Sequence, residues 1–157
     1  PDPAAVAKLQ ALFGAAQTTD ARVDLYDSFV QKALQRVCTQ LGRRHLLVGT
    51  TATRVADKLM EATTKGRGFA IPLHASAVDW QNGKMTVARP CKTLTSAEAA
   101  LYARFTALST TFFPSFTTKR PSRDSIAALS ATFLASLTDG FQGTINHVLK
   151  TAAKLVP

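Results

Sequence analysis

Apolar residues recur at every third or fourth position in two stretches near the start of the chain, a spacing that predicts two amphipathic helices. The first helix covers residues 4–13. The second begins after capping oxygens at residues 18–20 and continues to Leu41, where Gly42 ends it. Cys38 lies on the apolar face of the second helix, so we expect a buried thiol with a structural role.

Short apolar runs then alternate with helical patterns. The run at 45–48 predicts a fully buried strand of the parallel type, and a helix through 55–60 follows it. A second apolar stretch at 69–73 leads into an irregular segment around 79–83, and residues 85–88 predict another strand. This alternation indicates an α/β protein with a partial, Rossmann-like parallel sheet flanked by helices.

The last third of the chain predicts helices. Thr95 and Glu98 have the spacing of a capping box and open one helix. Two more helices are predicted at about 124–138 and 144–155, with two glycines between them. We therefore expect a C-terminal helical pair beside the α/β part.

The charge balance favours an anionic partner. The 157 residues include 19 Lys and Arg against 10 Asp and Glu, a net charge of +9. Nucleic acid is the commonest partner of a compact basic domain, although a basic balance can also serve solubility. No apolar run is long enough to span a bilayer, so we expect an intracellular protein and no membrane partner. The chain opens without methionine, and we expect its natural start to lie upstream.

Candidate chemistry is sparse. Ligands of α/β sheets bind beyond the carboxyl ends of the strands, which here are residues 49–51 and 89–92. The first of these turns suits an anion at a helix N-terminus, but ordinary capping by Thr51 or Thr53 explains it as well. The sequence has no glycine-rich phosphate loop, paired carboxylates or metal-ligand cluster, so we expect no catalytic residue, metal or cofactor.

Basic pairs are the better candidates for binding. Lys65 and Arg67 are the strongest candidates for phosphate binding, because the glycines at 66 and 68 allow a phosphate to approach the backbone closely. Arg89 and Lys92 lie at the second strand end. Each pair can also be a solvated surface feature. Trp80 is a candidate base-stacking residue, or an anchor for its own loop.

Four motifs, taken together, are specific enough to indicate a known protein family. Residues 46–56 read Leu-Leu-Val-Gly-Thr-Thr-Ala-Thr-Arg-Val-Ala, 65–68 read Lys-Gly-Arg-Gly, 87–90 read Val-Ala-Arg-Pro and 96–102 read Ser-Ala-Glu-Ala-Ala-Leu-Tyr. They resemble the second, non-catalytic subunit of the eukaryotic cytoplasmic tRNA 2-thiolation complex, and the C-terminal helices at 125–155 resemble it too. The resemblance implies a fold like that of the PP-loop ATP pyrophosphatases. It makes residues 1–110 the C-terminal half of such a domain and 111–157 a helical extension packed on it.

The resemblance also implies partners and roles. The family acts in the cytoplasm on wobble uridine of tRNA, as a heterodimer with a catalytic sister that adenylates the base and receives sulfur from a ubiquitin-like carrier. In the sister, the turn that aligns with residues 49–54 carries two acids that suit metal-assisted handling of ATP phosphates. This degenerate turn instead has Gly49, Thr50, Thr51, Thr53 and Arg54. The resemblance therefore implies a subunit without catalysis of its own, contacting tRNA through Lys65, Arg67, Arg89 and Lys92.

Two alternatives remain open from the sequence. The protein can be an active PP-loop ATPase whose phosphate loop lies outside these residues. It can also be a purely structural module, in which the apolar second helix and the phenylalanines at 112, 113 and 116 form a protein interface.

Overall fold

The computed structural model describes residues 3–81, 85–111, 125–141 and 143–155, with backbone only for Trp80 and Gln81. Within these residues, no helix has the length and apolar character needed to cross a membrane. Three features of the sequence lie outside the described residues: Asn82-Gly83, a dipeptide typical of turns, the phenylalanine cluster at 112–116, and the basic residues Lys119, Arg120 and Arg123.

Two helices form the start of the described chain, as the apolar spacing predicts. Helix α1 runs from Pro3 to Ala15 and α2 from Thr19 to Gln40. The Thr18 hydroxyl caps α2 by accepting from the Ala21 N–H at 3.2 Å, and Gly42 follows the helix with φ +63°. The rings of Phe13 and Phe29, with centroids 6.1 Å apart, pack α1 on α2.

The sheet of the described residues has three strands in the order β1-β3-β2. β1 is His45–Leu47, β2 is Val78–Gln81 and β3 is Met85–Ala88. β1 pairs with β3 in parallel and β2 pairs with β3 antiparallel. The α/β class is confirmed, but the sheet is mixed. Three residues join β2 to β3, which permits an antiparallel hairpin and is too short for a parallel crossover.

Two sequence predictions in this region were wrong in detail. The segment at 79–83 was expected to be irregular, yet residues 79–81 belong to β2. This edge strand contains polar Asp79 and Gln81, so it lacks the apolar run by which a buried strand is predicted. The strand at 45–48 was expected to be fully buried. Leu46 packs towards Cys38 of α2, whereas Leu47 on the opposite face is 71% exposed.

Helix α3, Ala52–Thr64, is the centre of the described core. Helices α6, Ile126–Gly140, and α7, Thr144–Ala153, pack on it and confirm the predicted C-terminal pair. Their contact contains Ala52, Ala56, Leu134 and Ile145, and small alanines allow the helices to approach closely. The division into 1–110 and 111–157 stays a prediction, because its boundary is followed at once by residues outside the described part.

Short helical elements connect α3 to β2, and β3 to the next helix. The apolar stretch at 69–73 forms a 3-10 turn, Gly68–Ala70, and a short helix α4, Ile71–Ala75. A second 3-10 turn covers Pro90–Thr93 and leads to α5, Ser96–Phe105, which opens with the predicted capping box. Cys38 is buried as expected, its Sγ 3.2 Å from the Arg43 carbonyl oxygen, while Cys91 is only half-buried.

Candidate functional site

A cluster of alternating charges lies between α2 and α3. We call it the acid–base cluster and define it by the following residues: Asp20, Asp24, Asp27, Lys58, Glu61, Lys65 and Arg67. At its centre, the Lys65 ammonium lies 2.6 Å from Glu61 Oε1, 3.1 Å from Asp24 Oδ1 and 3.2 Å from Asp20 Oδ1. The Lys65 side chain is only 6% exposed.

The remaining cations of the acid–base cluster also have carboxylate partners. Lys58 Nζ lies 2.5 Å from Asp27 and 2.9 Å from Glu61. Arg67 Nη2 lies 2.6 Å from Asp24 Oδ2, yet the Arg67 side chain stays 47% exposed. Arg67 is thus held in position and still reachable, whereas Lys65 is enclosed by carboxylates.

Asp20 extends the acid–base cluster to a third helix. Its carboxylate accepts from the Ile126 N–H at 3.0 Å and the Ala127 N–H at 3.4 Å, and from the Ser125 hydroxyl at 3.3 Å. An acid at the N-terminus of a helix is stabilised by the free amides and the helix dipole. Asp20 therefore ties α2 to the start of α6 as well as to Lys65.

An open cleft of about 230 Å³ lies against this cluster and includes His74 of α4. Burial lowers the pKa of His74, and the positive charges of Lys58 and Arg89 lower it further. The acidic and basic side chains that line the cleft already neutralise one another. Among the described residues, no group of three His, Cys, Asp or Glu is placed to hold a metal ion.

Arg89 and Lys92 meet at the C-terminal end of α4. Arg89 Nη1 donates to the Ser76 carbonyl oxygen at 3.1 Å, and Lys92 Nζ donates to that of Ala75. Both side chains are half-buried. Burial lowers the pKa of Lys92, as does the neighbouring Arg89. The structure thus brings these two predicted cations together, with Lys65 and Arg67 preceding α4 at its other end.

The degenerate turn after β1 is used for structural hydrogen bonds. The Thr51 hydroxyl accepts from the Arg54 N–H at 3.5 Å and lies 2.9 Å from the Ser96 hydroxyl. The Thr53 hydroxyl accepts from the Ser96 N–H at 3.1 Å. Thr51 therefore caps α3, as the capping interpretation expected, and Thr53 holds the start of α5. Gly49 and Arg54 are exposed and Thr50 is half-buried.

Two known proteins are similar to this chain along nearly its whole length. The chain is 30% identical over 156 residues, 99% of its length, to cytoplasmic tRNA 2-thiolation protein 2 of Homo sapiens. It is 29% identical over 148 residues, 94% of its length, to cytoplasmic tRNA 2-thiolation protein 2-A of Xenopus laevis. This chain is a homologue of cytoplasmic tRNA 2-thiolation protein 2. It spans 30% of the human protein and 29% of the frog protein. No protein-family model matches it.

A solved structure supports the fold that the tRNA 2-thiolation resemblance implies. The U34-tRNA thiolase NcsA from Methanococcus maripaludis, solved with its [4Fe-4S] cluster, superposes with a TM-score of 0.68. The match covers 85% of this chain and 43% of the thiolase, at 15% sequence identity. At that identity the likeness concerns the fold alone. The PP-loop-like fold expected of this tRNA 2-thiolation protein homologue is therefore confirmed.

Sequence reasoning missed the acid–base cluster in this homologue of the tRNA 2-thiolation protein. It found no paired carboxylates, although two charged stripes were readable at helical spacing. Asp20, Asp24 and Asp27 lie four and three residues apart on α2. On α3 and just beyond it, Lys58, Glu61 and Lys65 have the complementary spacing.

The acid–base cluster predicts that stability falls in acid. Burial raises the pKa values of Asp20, Asp24 and Glu61, but hydrogen bonds and charges from their partners outweigh it and lower all three. A carboxyl with a lowered folded pKa contributes stability above its ordinary value near 4 and loses it as the pH falls through the folded value. We expect the urea midpoint to fall steadily below about pH 4.5.

A matched variant tests the origin of this loss. Asp24→Asn removes one of the three carboxyls while keeping its shape, so the variant should start less stable and lose less stability between neutral and acid pH. Urea unfolding of both proteins across that range measures the difference. Parallel curves for the two proteins would contradict a contribution from Asp24.

Proposed function

We propose that this chain is part of a non-catalytic, cytoplasmic subunit of a tRNA 2-thiolation complex, where it contacts tRNA and a catalytic partner subunit. The observation that carries the proposal is the 30% identity, over 99% of the chain, to a protein of that name. The wobble uridine is the proposed site of modification. We propose that the catalytic partner delivers sulfur from the ubiquitin-like carrier to this uridine.

The turn after β1 supports the non-catalytic part of the proposal. Handling of ATP phosphates by a metal needs carboxylates or other oxygen ligands free to bind it. Thr51 and Thr53 use their hydroxyls to hold the start of α5, and Arg54 brings a positive charge that repels a metal ion. The rival proposal, an active ATPase, would be favoured if the protein hydrolysed ATP without a partner.

The placement of the basic residues supports the tRNA part. The net charge of +9 favours an RNA partner. Arg67 is positioned by Asp24 and remains accessible, and Arg89 and Lys92 form a pair at the end of α4. Arg54 is an exposed, lesser candidate. Lys65 is the weakest of the predicted contacts, because reaching a phosphate would require it to leave three carboxylates.

The tRNA contacts predict a loss of affinity on removal of charge. The double variant Arg67→Gln, Arg89→Gln should bind a tRNA transcript about ten-fold or more weakly at low salt. The slope of log affinity against log salt should become shallower by about two, because two phosphate contacts are lost. Binding titrations across a salt series measure both quantities.

The control removes one positive charge elsewhere and is compared with the single variants Arg67→Gln and Arg89→Gln. Lys150→Gln on α7 deletes an exposed cation outside the proposed surface and should leave the salt slope nearly unchanged. Equal effects of Lys150→Gln and of each single arginine variant on tRNA affinity would mean that net charge alone drives binding. Unchanged tRNA binding by the double variant, with intact capture of the partner subunit, would favour the purely structural module instead.

A further inference from the structure

Phe69 is the most exposed large apolar side chain in the described part of the molecule, at 85%. It lies in the 3-10 turn Gly68–Ala70, two residues after Arg67. The backbone around it is held by hydrogen bonds from the Arg67 N–H to the Ala62 carbonyl oxygen, 2.7 Å, and from the Ala70 N–H to that of Arg67, 2.9 Å. The ring therefore faces solvent from an ordered backbone.

The glycines beside it differ in what the fold requires of them. Gly66 has φ +68°, a left-handed conformation that favours glycine. Gly68 has no such requirement, and no atom lies within 4 Å of the position that a side-chain carbon would take there. An alanine would fit at residue 68 without a local clash. The missing side chain leaves the backbone between Arg67 and Phe69 open to a ligand.

Arg67 and Phe69 offer two complementary chemistries. The guanidinium of Arg67 is fixed by Asp24 at 2.6 Å and remains charged at any physiological pH. Guanidinium groups bind phosphate, and an exposed aromatic ring stacks on any unpaired base. A phosphate linked to an exposed base occurs in single-stranded RNA, whereas paired bases are already stacked within a helix.

We propose that Arg67, Gly68 and Phe69 form a binding edge for one unpaired nucleotide of tRNA. Phe69 stacks on the base, Arg67 contacts its phosphate, and Gly68 lets the RNA backbone come close. This inference rests on the proposed tRNA-binding function and names residues and a ligand class within it: a single-stranded, loop-like segment of RNA.

The test separates stacking from charge. Phe69→Ala should weaken binding of a tRNA transcript and of a short oligouridine by about ten-fold, within the range of about five- to 150-fold for one stacked base. Its salt slope should stay unchanged. Arg67→Gln should instead reduce the slope by about one. Phe141→Ala, which truncates another exposed phenylalanine (71%), is the matched control and should leave RNA affinity unchanged.

Two further variants report on stacking and on close approach. Phe69→Trp should keep RNA affinity, and its fluorescence should be quenched by oligouridine beyond any quenching of the native Trp80 in the unsubstituted chain. Gly68→Ala should leave thermal stability unchanged but weaken RNA binding several-fold. Unfolding curves of the variants at residues 68, 69 and 141 should match that of the unsubstituted chain, because these positions are exposed.

Each failure has a distinct meaning. If the unsubstituted chain binds tRNA and Phe69→Ala binds it equally well, the stacking proposal is overturned while tRNA binding by the chain stands. If Phe69→Ala loses capture of the catalytic partner but keeps RNA affinity, residue 69 is a protein contact and the proposal is likewise overturned. If the unsubstituted chain binds no RNA, alone or with its partner, both proposals fall.

Discussion

Replacing Lys65 with alanine should lower the free energy of unfolding by about 3 kcal/mol at neutral pH. The substitution leaves Asp20, Asp24 and Glu61 close together without their shared cation. Glu61 is nearly buried and the two aspartates are partly so, which limits solvation of the charges left behind. Urea unfolding monitored by circular dichroism measures the change.

Two comparisons isolate the cause of this loss. Lys150→Ala on α7 removes an exposed lysine and should change stability by less than about 0.5 kcal/mol. The penalty of Lys65→Ala should also shrink at about pH 3, where protonation relieves repulsion between the stranded carboxylates. A loss below about 1 kcal/mol at neutral pH would place the cluster among ordinary surface ion pairs and argue against a structural role for Lys65.

Leu134→Ala should destabilise the protein by about 3 kcal/mol through a cavity between α6 and its neighbours. Leu134 is 2% exposed and packs with Ala52, Ala56 and Ile145. Small alanines on α3 cannot expand to fill the space that the leucine vacates. The same urea titration measures the loss, which should appear as a lower midpoint at unchanged slope.

The control for the cavity lies on the same helix. Leu129→Ala truncates a leucine of α6 that is 48% exposed and should cost less than about 1 kcal/mol. Both substitutions replace leucine with alanine on one helix, so their difference reports burial rather than helix propensity. Similar losses for the two variants would mean that α6 does not pack on α3 in the way the structure shows.

Local signals in the sequence predicted much of the fold. Helix α2, the capping box of Thr95 and Glu98 and the cap at Thr51 all depend on neighbours within a few residues. Such features are readable because spacing along a helix fixes which side chains meet. The motif resemblance added the PP-loop-like fold, which periodicity alone did not specify.

The rest depended on contacts distant in sequence. Lys65 looked like a free cation beside glycine, and only Glu61 among its partners is a helical neighbour. Asp20 and Asp24 lie more than 40 residues earlier and meet Lys65 only once α2 folds back on α3. The strand β2 was missed for a different reason: an edge strand with polar residues lacks the apolar run that marks buried strands.

The unequal burial of the two cysteines makes the chain suited to single-site chemical labelling. Cys38 is enclosed with its sulfur against the Arg43 carbonyl oxygen, whereas Cys91 is partly accessible between Arg89 and Lys92. A thiol-reactive fluorophore will therefore attach at Cys91 under native conditions without any substitution. That position lies within the proposed tRNA surface, so its emission would report tRNA docking directly.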